Sequence, residues 1–224
     1  MGDVAQRPRS MIGLRLDRAL TSVVCLGAHP DDIEVGAAGL LTSLAVAHTE
    51  ASFLFVIATG DEIRRNEAVE SATSLLGDRV SVEFGGFGDG MLPYAHAVET
   101  KEFVRSAASQ MDAELVLAPR RTDRHQDHRF VAEIAHQVFR HQMILEYEIA
   151  KLEGDLSPGG IYHPMTAAEA DAKLDHLSTH FQSQHAKPWY DRETFTALLR
   201  IRGIEALAGE GYAEAFHADR VSIS

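Results

Sequence analysis

Short apolar runs alternate along this chain with longer stretches in which apolar residues recur at helical spacing. Nearly continuous apolar runs are typical of strands that are buried on both faces of a parallel sheet. Three such runs lie at residues 22–28, 51–58 and 113–118. A less buried strand is predicted where Val80, Val82 and Phe84 alternate with polar residues, and a fifth strand is predicted at residues 143–149.

The stretches between these strands have the spacing of amphipathic helices, in which apolar residues recur three and four positions apart. Helices are predicted at about residues 37–47, 65–76, 98–111 and 129–140. Alternation of strands with helices predicts an α/β fold in which right-handed crossovers connect parallel strands. The expected architecture is a Rossmann-like parallel sheet covered by helices.

The last third of the chain is predicted to add helices to this sheet. Residues 154–164 are rich in glycine and proline and are predicted to form a loop. Thr166 and Glu169 form a T-x-x-E capping box that begins a helix, and a further helix is predicted after Asp191. We interpret these helices as a helical C-terminal elaboration, because neither could bury its apolar face alone.

Length and composition favour one domain. The chain has 224 residues, of which 45% are hydrophobic, and this is enough for one substantial core. Residues 22–224 are therefore interpreted as a single domain, with residues 1–21 as an N-terminal extension. No run approaches the roughly 20 apolar residues of a membrane helix. With Cys25 as its only cysteine and no recognisable secretory signal, the chain is expected in the cytoplasm.

Charge and glycine spacing argue against nucleic-acid and nucleotide partners. The formal net charge of −12 repels nucleic acid, and no basic run reverses this locally. Gly27, Gly36 and Gly39 do not form the G-x-G-x-x-G pattern of a dinucleotide site, and carboxylates fill the first turn, where they would repel a pyrophosphate. A non-catalytic nucleotide-binding module is therefore a less favoured alternative.

Two dense clusters of histidine and carboxylate residues each follow a predicted strand. The first is A-H-P-D-D-I-E at residues 28–34, and the second is D-R-H-Q-D-H at residues 123–128. Ligands of open α/β sheets bind at the carboxyl ends of strands, in the crevice where strand order reverses. If one metal ion takes ligands from both clusters, the two strands must be neighbours, and the order 3-2-1-4-5 satisfies this requirement.

Nitrogen and oxygen donors in these clusters suit a catalytic zinc site, which uses three protein ligands and leaves a position for water. His29, one carboxylate of the pair Asp31 and Asp32, and His128 supply such a set. The other carboxylate can take a proton from water whose pKa a metal lowers to about 7. The same residues also fit the facial triad of non-haem iron oxygenases, although the β-sandwich-like barrel of those enzymes contradicts this strand–helix alternation.

A second histidine beside this donor set offers further chemistry. His125 lies three residues before His128, so at a helix start the two side chains share a face. A histidine near neutral pKa can polarise a substrate carbonyl or protonate a leaving amine. Asp127 is expected to accept the other ring proton of His125 and to hold that ring in its cationic form.

Residues 29–32 (HPDD) and 125–128 (HQDH) resemble the two motifs of the LmbE-like, or PIG-L-like, family of zinc-dependent N-acetylglucosaminyl deacetylases. The first motif of that family usually reads A-H-P-D-D-E, whereas here Ile33 stands before Glu34. The second motif, H-x-D-H, matches in full. The resemblance implies metal ligation by His29, Asp32 and His128, general-base catalysis by Asp31, and oxyanion stabilisation or proton donation by His125 as oriented by Asp127.

Two further segments are similar to substrate-binding parts of that family. Residues 59–67 and 75–77 resemble its T-x-G-E, R-x-x-E and L-G pattern, which makes Arg64 a candidate for binding oxygens of the sugar or leaving group. The alternative for Arg64 is an exposed arginine at a helix start. Residues 86–90 resemble the loop whose aspartate contacts substrate hydroxyls, so Asp89 is a substrate-binding candidate, with a turn residue between glycines as the alternative.

The resemblance covers most of the chain from about Ser22 and implies a metal-dependent hydrolase. Its expected reaction is removal of an N-acetyl or related acyl group from an amino sugar or a sugar-containing metabolite. Zinc is the implied cofactor, iron is the alternative metal, and the implied partner is a small N-acetylated sugar-like molecule. A zinc amidase that acts on a non-sugar N-acyl amine or a thiol conjugate is the main alternative.

Overall fold

The computed structural model describes residues 13, 16 and 18–221, and these are built around one seven-stranded sheet. The strands are β1 (Ser22–Gly27), β2 (Ser52–Thr59), β3 (Val80–Phe87), β4 (Leu115–Pro119), β5 (Met143–Tyr147), β6 (Ile161–Met165) and β7 (Tyr212–His217). Their order in the sheet is β3-β2-β1-β4-β5-β7-β6. Strands β1 to β5 pair in parallel, whereas β7 is antiparallel to both β5 and β6.

Helices cover both faces of the sheet. They are α1 (Asp32–Ala47), α2 (Glu62–Leu76), α3 (Leu92–Ala95), α4 (Ala97–Ala108), α5 (Gln126–Val138), α6 (Ala167–His180) and α7 (Arg192–Glu205). Successive side chains of a strand point to opposite faces. Accordingly, Val23 and Cys25 of β1 pack in the core beneath α1, α2, α6 and α7, while Val24 and Leu26 pack in the core beneath α3, α4 and α5.

The predicted α/β class and the strand order 3-2-1-4-5 are confirmed. Strand β1 lies between β2 and β4, and Cys25 has Phe55 on one side and Leu117 on the other. The order of strand addition therefore reverses at β1, which makes the ends of β1 and β4 neighbours. This is the position in an open sheet where a ligand-binding crevice forms.

Helix α1 begins earlier than predicted, because two glycines near its start weaken the helical pattern of the sequence. The helix starts at Asp32 and not near residue 37. Glycine lowers helix propensity, but here it is required by close packing. A Cβ atom on Gly36 would lie 2.1 Å from the Tyr147 ring, and one on Gly39 would lie 2.7 Å from Met165. These glycines let α1 lie directly against β5 and β6.

The prediction that residues 154–164 form only a loop is wrong at its end, where strand β6 begins at Ile161. The C-terminal elaboration contains the predicted helices α6 and α7 and, in addition, the antiparallel pair β6 and β7. Strand β6 lies at the edge of the sheet, which is where a strand tolerates a proline such as Pro164. Its partner β7 is far away in the chain, so local composition did not reveal the strand.

The predicted boundary at residue 21 stays a prediction. Residues 1–12, 14, 15 and 17 of the predicted N-terminal extension lie outside the described residues, as do residues 222–224. Within the described part of the chain, no helix has the length and apolarity needed to cross a membrane. The expected cytoplasmic location likewise stays a prediction.

Replacing Glu214 with glutamine is expected to destabilise the protein by about 3–5 kcal/mol, because it leaves a buried lysine unpaired. Glu214 on β7 accepts a 2.7 Å bond from Lys173 Nζ on α6 and further bonds from the amides of Gly39 and Leu40 on α1. Both side chains of the ion pair are buried. Urea unfolding followed by circular dichroism measures the change.

Arg192→Gln is the matched control, because it removes exposed ion pairs from α7. Arg192 pairs with Asp171 and Asp175, and all three side chains are largely exposed. Exposed pairs contribute at most about 1 kcal/mol. Equal losses of stability in the two variants would contradict the assigned role of the buried pair.

Candidate metal and active site

The first cluster forms the turn between β1 and α1, and Asp32 holds that turn together. Asp32 Oδ2 accepts hydrogen bonds from the backbone amides of Ala28 and His29, each at 2.9 Å. Asp31 is the N-cap residue of α1, and Asp32 is its first residue. His29, Asp31 and Asp32 are all buried. The two bonds occupy one carboxylate oxygen of Asp32 and leave Oδ1 facing the second cluster.

The second cluster connects β4 to α5, and Asp123 organises it. Asp123 Oδ1 accepts the amide of His125 at 2.8 Å, and its Oδ2 lies 3.0 Å from Nδ1 of His128. A hydrogen bond that the far nitrogen of an imidazole donates to a carboxylate fixes the ring and its tautomer. Nε2 of His128 is therefore directed, as a lone-pair donor, at the β1–α1 turn.

The two clusters meet in space, as their positions at neighbouring strand ends predict. His29 Nδ1 lies 3.0 Å from His128 Nε2. Asp32 Oδ1 lies 3.3 Å from His128 Nε2, and Asp32 Oδ2 lies 3.5 Å from His29 Nδ1. Tetrahedral zinc with bonds of 2.0–2.1 Å holds its ligand atoms about 3.3 Å apart. The pairwise separations, which involve Oδ1 of Asp32 for His128 and Oδ2 for His29, are close to this spacing, so the three side chains lie near enough to make them candidate ligands of one ion.

The charges around the two imidazoles also fit a cation. His29 Nε2 lies 2.9 Å from Asp89 Oδ1, just as His128 Nδ1 lies beside Asp123. Although burial opposes protonation, Asp32 and these carboxylates raise the pKa of His29 well above its usual range and that of His128 to about 9. The same negative surroundings that favour a bound proton also favour a metal cation: the far nitrogens lie against carboxylates, so the two near nitrogens face each other, and a divalent ion between them would take the place of the extra protons.

His125 lies beside this donor set and offers a third imidazole. One nitrogen from each of His29, His125 and His128 lies within 4.8 Å of the others. The distances from Asp32 to the rings of His29 and His128 are 3.5 and 3.3 Å, below the 4.8 Å limit that groups the three imidazoles. Among the described residues, Oδ1 of Asp32 contacts only His128, so we favour Asp32 over His125 as the third ligand. His125 has a separate task as the N-cap of α5, where its Nδ1 accepts the amide of Asp127 at 3.3 Å.

This cap fixes the tautomer of His125. Because Nδ1 acts as an acceptor, the ring proton of the neutral form is on Nε2, which leaves that N–H available to the pocket. Burial and the neighbouring rings of His128 and His29 lower the pKa of His125. The structure therefore favours a neutral hydrogen-bond donor over the expected cationic His125, because the rings of His29 and His128 pack beside it and the carboxylate of Asp127 bonds to backbone amides elsewhere.

Asp127 does not make the expected contact with the His125 ring. Its carboxylate instead accepts the amides of Gly90 at 2.6 Å and Leu92 at 3.1 Å, and it lies 3.6 Å from His29 Nε2. The reason is its position in the first turn of α5, where the side chain turns toward the loop after β3. Asp127 thereby fixes the loop that carries Asp89.

Arg64 is directed at the candidate base. Its Nη2 lies 2.5 Å from Asp31 Oδ1, and its Nη1 lies 4.0 Å from Asp89 Oδ2. Only 13% of the Arg64 side chain is exposed, so the alternative of an exposed helix-start arginine is wrong. Within the described residues, Asp31 Oδ2 has no hydrogen-bond partner. The salt bridge therefore holds Asp31 while one carboxylate oxygen stays free to accept a proton.

Asp89 reaches the site from the loop after β3. Its side chain is 62% exposed and contacts His29. That hydrogen bond lowers the pKa of Asp89 to about 2, although burial acts in the opposite direction. The side chain thus remains charged, with its second oxygen open to the pocket. Its predicted role in binding substrate hydroxyls stays a prediction.

The far wall of the pocket comes from segments that the sequence did not single out. The lining residues beyond the two clusters, Arg64 and Asp89 are Ile149, Lys151, Leu152, Glu153, Lys187 and Trp189. Lys151 Nζ lies 3.0 Å from Asp123 Oδ2 and 2.9 Å from Asp155. These residues carry no recognisable motif. They lie after β5 and before α7, far from the two clusters in the chain, and only the fold brings them to the pocket. Asp123 is different, because it is the first residue of the second cluster, and its position there could have indicated a role beside the histidines.

The two clusters lie within a region that matches a known family. Residues 24–139, just over half of the chain, match the family described as PIG-L: GlcNAc-PI de-N-acetylase. The matched region also contains Arg64 and Asp89, whereas Lys187 and Trp189 lie beyond it. Among curated proteins, none matches this sequence.

Three solved structures have similar folds at low sequence identity. N,N'-diacetylchitobiose deacetylase from Pyrococcus horikoshii is 22% identical, with a TM-score of 0.69 over 88% of this chain and 83% of that chain. GalB, the 4-carboxy-2-hydroxymuconate hydratase from Pseudomonas putida KT2440, is 18% identical, with a TM-score of 0.72 over 92% and 98%. The zinc-inhibited form of teicoplanin deacetylase Orf2 is 15% identical, with a TM-score of 0.70 over 91% and 100%. At these identities the similarity establishes the fold.

Proposed function

This chain belongs to the PIG-L family of de-N-acetylases, and from that premise we propose that it is a metal-dependent hydrolase that removes an acetyl group from the nitrogen of an amino sugar. The observation that carries the proposal is the convergence of His29, Asp32 and His128 at distances of 3.0–3.5 Å, with a second buried carboxylate, Asp31, beside them. Three nitrogen and oxygen ligands with an adjacent base are the requirements of metal-assisted hydrolysis.

We propose zinc as the metal, held by His29, Asp32 and His128. When bound, a divalent ion would polarise the acyl carbonyl and lower the pKa of a coordinated water to about 7. The ligand set of two imidazoles and one carboxylate also suits iron. One similar structure is described as the zinc-inhibited form of a deacetylase. We therefore expect zinc above one equivalent to inhibit acetate release.

The protein groups around the ligands fit the proton transfers of amide hydrolysis. In the proposed mechanism, Asp31 Oδ2 accepts a proton from the attacking water while Arg64 holds the other carboxylate oxygen in place. His125 donates from Nε2 to the carbonyl oxygen as negative charge develops on it. Asp31 then gives its proton to the nitrogen as the carbon–nitrogen bond breaks, which yields a free amine and acetic acid, and the acid loses its proton to solvent as acetate. General base catalysis of this kind contributes about 10²–10⁴-fold in rate.

The polar groups at the edge of the pocket support a sugar-like substrate. Asp89 Oδ2 and the Nη1 group of Arg64 lie 4.0 Å apart, so they present an acceptor and a donor to neighbouring hydroxyl groups. Sugars offer hydroxyls that both donate and accept. A non-sugar N-acyl amine would offer these two groups no hydroxyl to bind, and this favours the amino-sugar substrate over the alternative amidase.

Acetate release is the direct test of this proposal. Protein freed of metal with a chelator should release little acetate from N-acetylglucosamine derivatives, and one equivalent of Zn²⁺ or Fe²⁺ should restore release by at least about 100-fold, since lowering the pKa of water requires the metal. Each metal is titrated from below one equivalent, so that inhibition by excess zinc is separated from activation.

Two controls make the assay decisive. Hydration of an unsaturated carboxylic acid is measured in parallel, because the same fold occurs in a hydratase. Oxygen consumption with Fe²⁺ is measured as well, since the facial triad of iron oxygenases uses the same ligand types. Full acetate release by metal-free protein, or hydration without acetate release, would refute the proposed reaction.

A further inference from the structure

The two imidazoles of the proposed metal site are held by outer carboxylates in different surroundings. Nδ1 of His128 lies 3.0 Å from Asp123, whose side chain is 3% exposed and also pairs with Lys151. Nε2 of His29 lies 2.9 Å from Asp89, whose side chain is 62% exposed and belongs to the loop after β3. The ring of His128 is therefore fixed by buried charges, whereas that of His29 depends on a loop residue.

Asp89 is placed to accept the outer ring proton of His29. Within the described residues, the next carboxylate near Nε2 is that of Asp127, and its distance of 3.6 Å is too long for a hydrogen bond. Asp127 is also occupied by the amides of Gly90 and Leu92. If Nδ1 of His29 binds a metal, the proton of the neutral ring must be on Nε2. The contact with Asp89 stabilises this tautomer and fixes the rotation of the ring.

The loop that carries Asp89 is attached to the first turn of α5. Besides the two amides that bond to Asp127, the carbonyl of Gly90 accepts a 3.4 Å bond from the side chain of Gln126. Gly90 has a φ of +77°, a left-handed conformation that favours glycine. The first turn of α5 thus supplies His128 and also holds the loop that places Asp89 at the site.

We propose that Asp89 is a positioning residue for metal binding: it holds His29 with Nδ1 directed at the other two ligands, so the loop after β3 sets the metal affinity of the site. The inference rests on the ligand set of the proposed function and deepens it, because it gives Asp89 a role that needs no substrate. The carboxylate has one oxygen for each task. Oδ1 contacts His29, whereas Oδ2 lies 4.0 Å from Arg64 and remains available to substrate hydroxyls.

Zinc affinity in the absence of substrate is the test of this inference. Metal-free protein is titrated with Zn²⁺ in competition with a chelating dye, and the dissociation constants of wild type, Asp89→Ala and Asp89→Asn are compared. Removal of an outer partner of a metal-binding histidine weakens metal affinity by about 10–100-fold, and we expect a loss of this size in Asp89→Ala. Asp89→Asn should recover part of the loss, because its amide oxygen can still accept the Nε2 proton, although without the charge.

Glu153→Gln is the matched control, because it removes another carboxylate that lines the pocket. Among the described residues, Glu153 forms no hydrogen bond or ion pair with the proposed metal ligands. Its replacement should change the dissociation constant for Zn²⁺ by less than about threefold, since its charge acts only at long range and is screened by salt. Thermal unfolding of the metal-free proteins is measured as well. The midpoint of Asp89→Ala should be close to that of wild type, since exposed ion pairs contribute little to stability.

The results separate failure of this inference from failure of the deacetylase proposal. Wild-type zinc affinity in Asp89→Ala, an equal loss in Glu153→Gln, or no recovery in Asp89→Asn overturns the positioning role and leaves the proposed function standing. A lowered unfolding midpoint of metal-free Asp89→Ala would assign the residue to stability and overturn the inference in the same way. Weakened zinc binding in Asp89→Ala without acetate release by the wild type supports the positioning role and overturns the deacetylase. A wild-type protein that binds no zinc overturns both.

Discussion

Replacing His128 with alanine is expected to abolish stoichiometric metal binding and, with it, acyl hydrolysis. His128 is the single proposed ligand that comes from α5, and its Nε2 lies between His29 Nδ1 and Asp32 Oδ1. Loss of a group that merely orients a ligand weakens metal affinity by about 10–100-fold, so loss of the ligand itself should exceed about 100-fold. Metal content after dialysis, measured by mass spectrometry, should fall from about one equivalent to near zero.

His141→Ala is the control for this variant, because it removes an exposed histidine on the connection between α5 and β5, which does not line the pocket. It should retain about one equivalent of metal and its acetate release. Circular dichroism establishes that both variants are folded. Retention of a full equivalent of metal by folded His128→Ala would refute the proposed ligand set.

Asp31→Asn is expected to keep the metal but to lower kcat for acetate release by about 10³-fold, within the range for removal of a general base. The amide has the size of the carboxylate and retains an oxygen for Arg64, but it cannot accept the proton that Asp31 Oδ2 would take. Steady-state kinetics and metal analysis on the same preparation measure the two effects. Metal content should remain near one equivalent, because Asp31 is not among the proposed ligands.

Arg64→Met separates the proton transfer from the positioning of the base. This variant removes the 2.5 Å contact with Asp31 but leaves the carboxylate itself. We expect a loss of activity well below that of Asp31→Asn. A folded, metal-loaded Asp31→Asn protein with near-normal kcat would exclude Asp31 as the base, and a larger effect of Arg64→Met would assign the catalytic contribution to the arginine.

The positions of the metal-binding candidates could be predicted from the sequence because their signals are local. Residues 28–34 and 123–128 each bring histidines and carboxylates directly after an apolar run. In a parallel sheet all such strand ends lie at one edge, so the meeting of His29 and His128 follows from the strand order alone. The same reasoning predicted a ligand from the pair Asp31 and Asp32, and the choice of Asp32 within that pair was implied by the family resemblance.

The partners of the neighbouring side chains could not be predicted in this way. Arg64 had two interpretations in the sequence, and only the packing of α2 beside the β1–α1 turn directs it to Asp31. Asp127 was expected to hold His125 but instead binds the loop at Gly90, because the choice between two nearby donors depends on distances that sequence spacing does not define.

Sequence by itself determined the α/β class and the chemical types of the candidate ligands, and it predicted the order of the five parallel strands from the condition that the two clusters meet. Strand period, strand ends and donor atoms are all properties of short segments. Tertiary structure alone decided the pairing of β6 with β7, the proton arrangement of His125 and the Lys187 wall of the pocket. These depend on contacts between segments that are distant in the chain, where small differences in packing select one partner among several of similar chemistry.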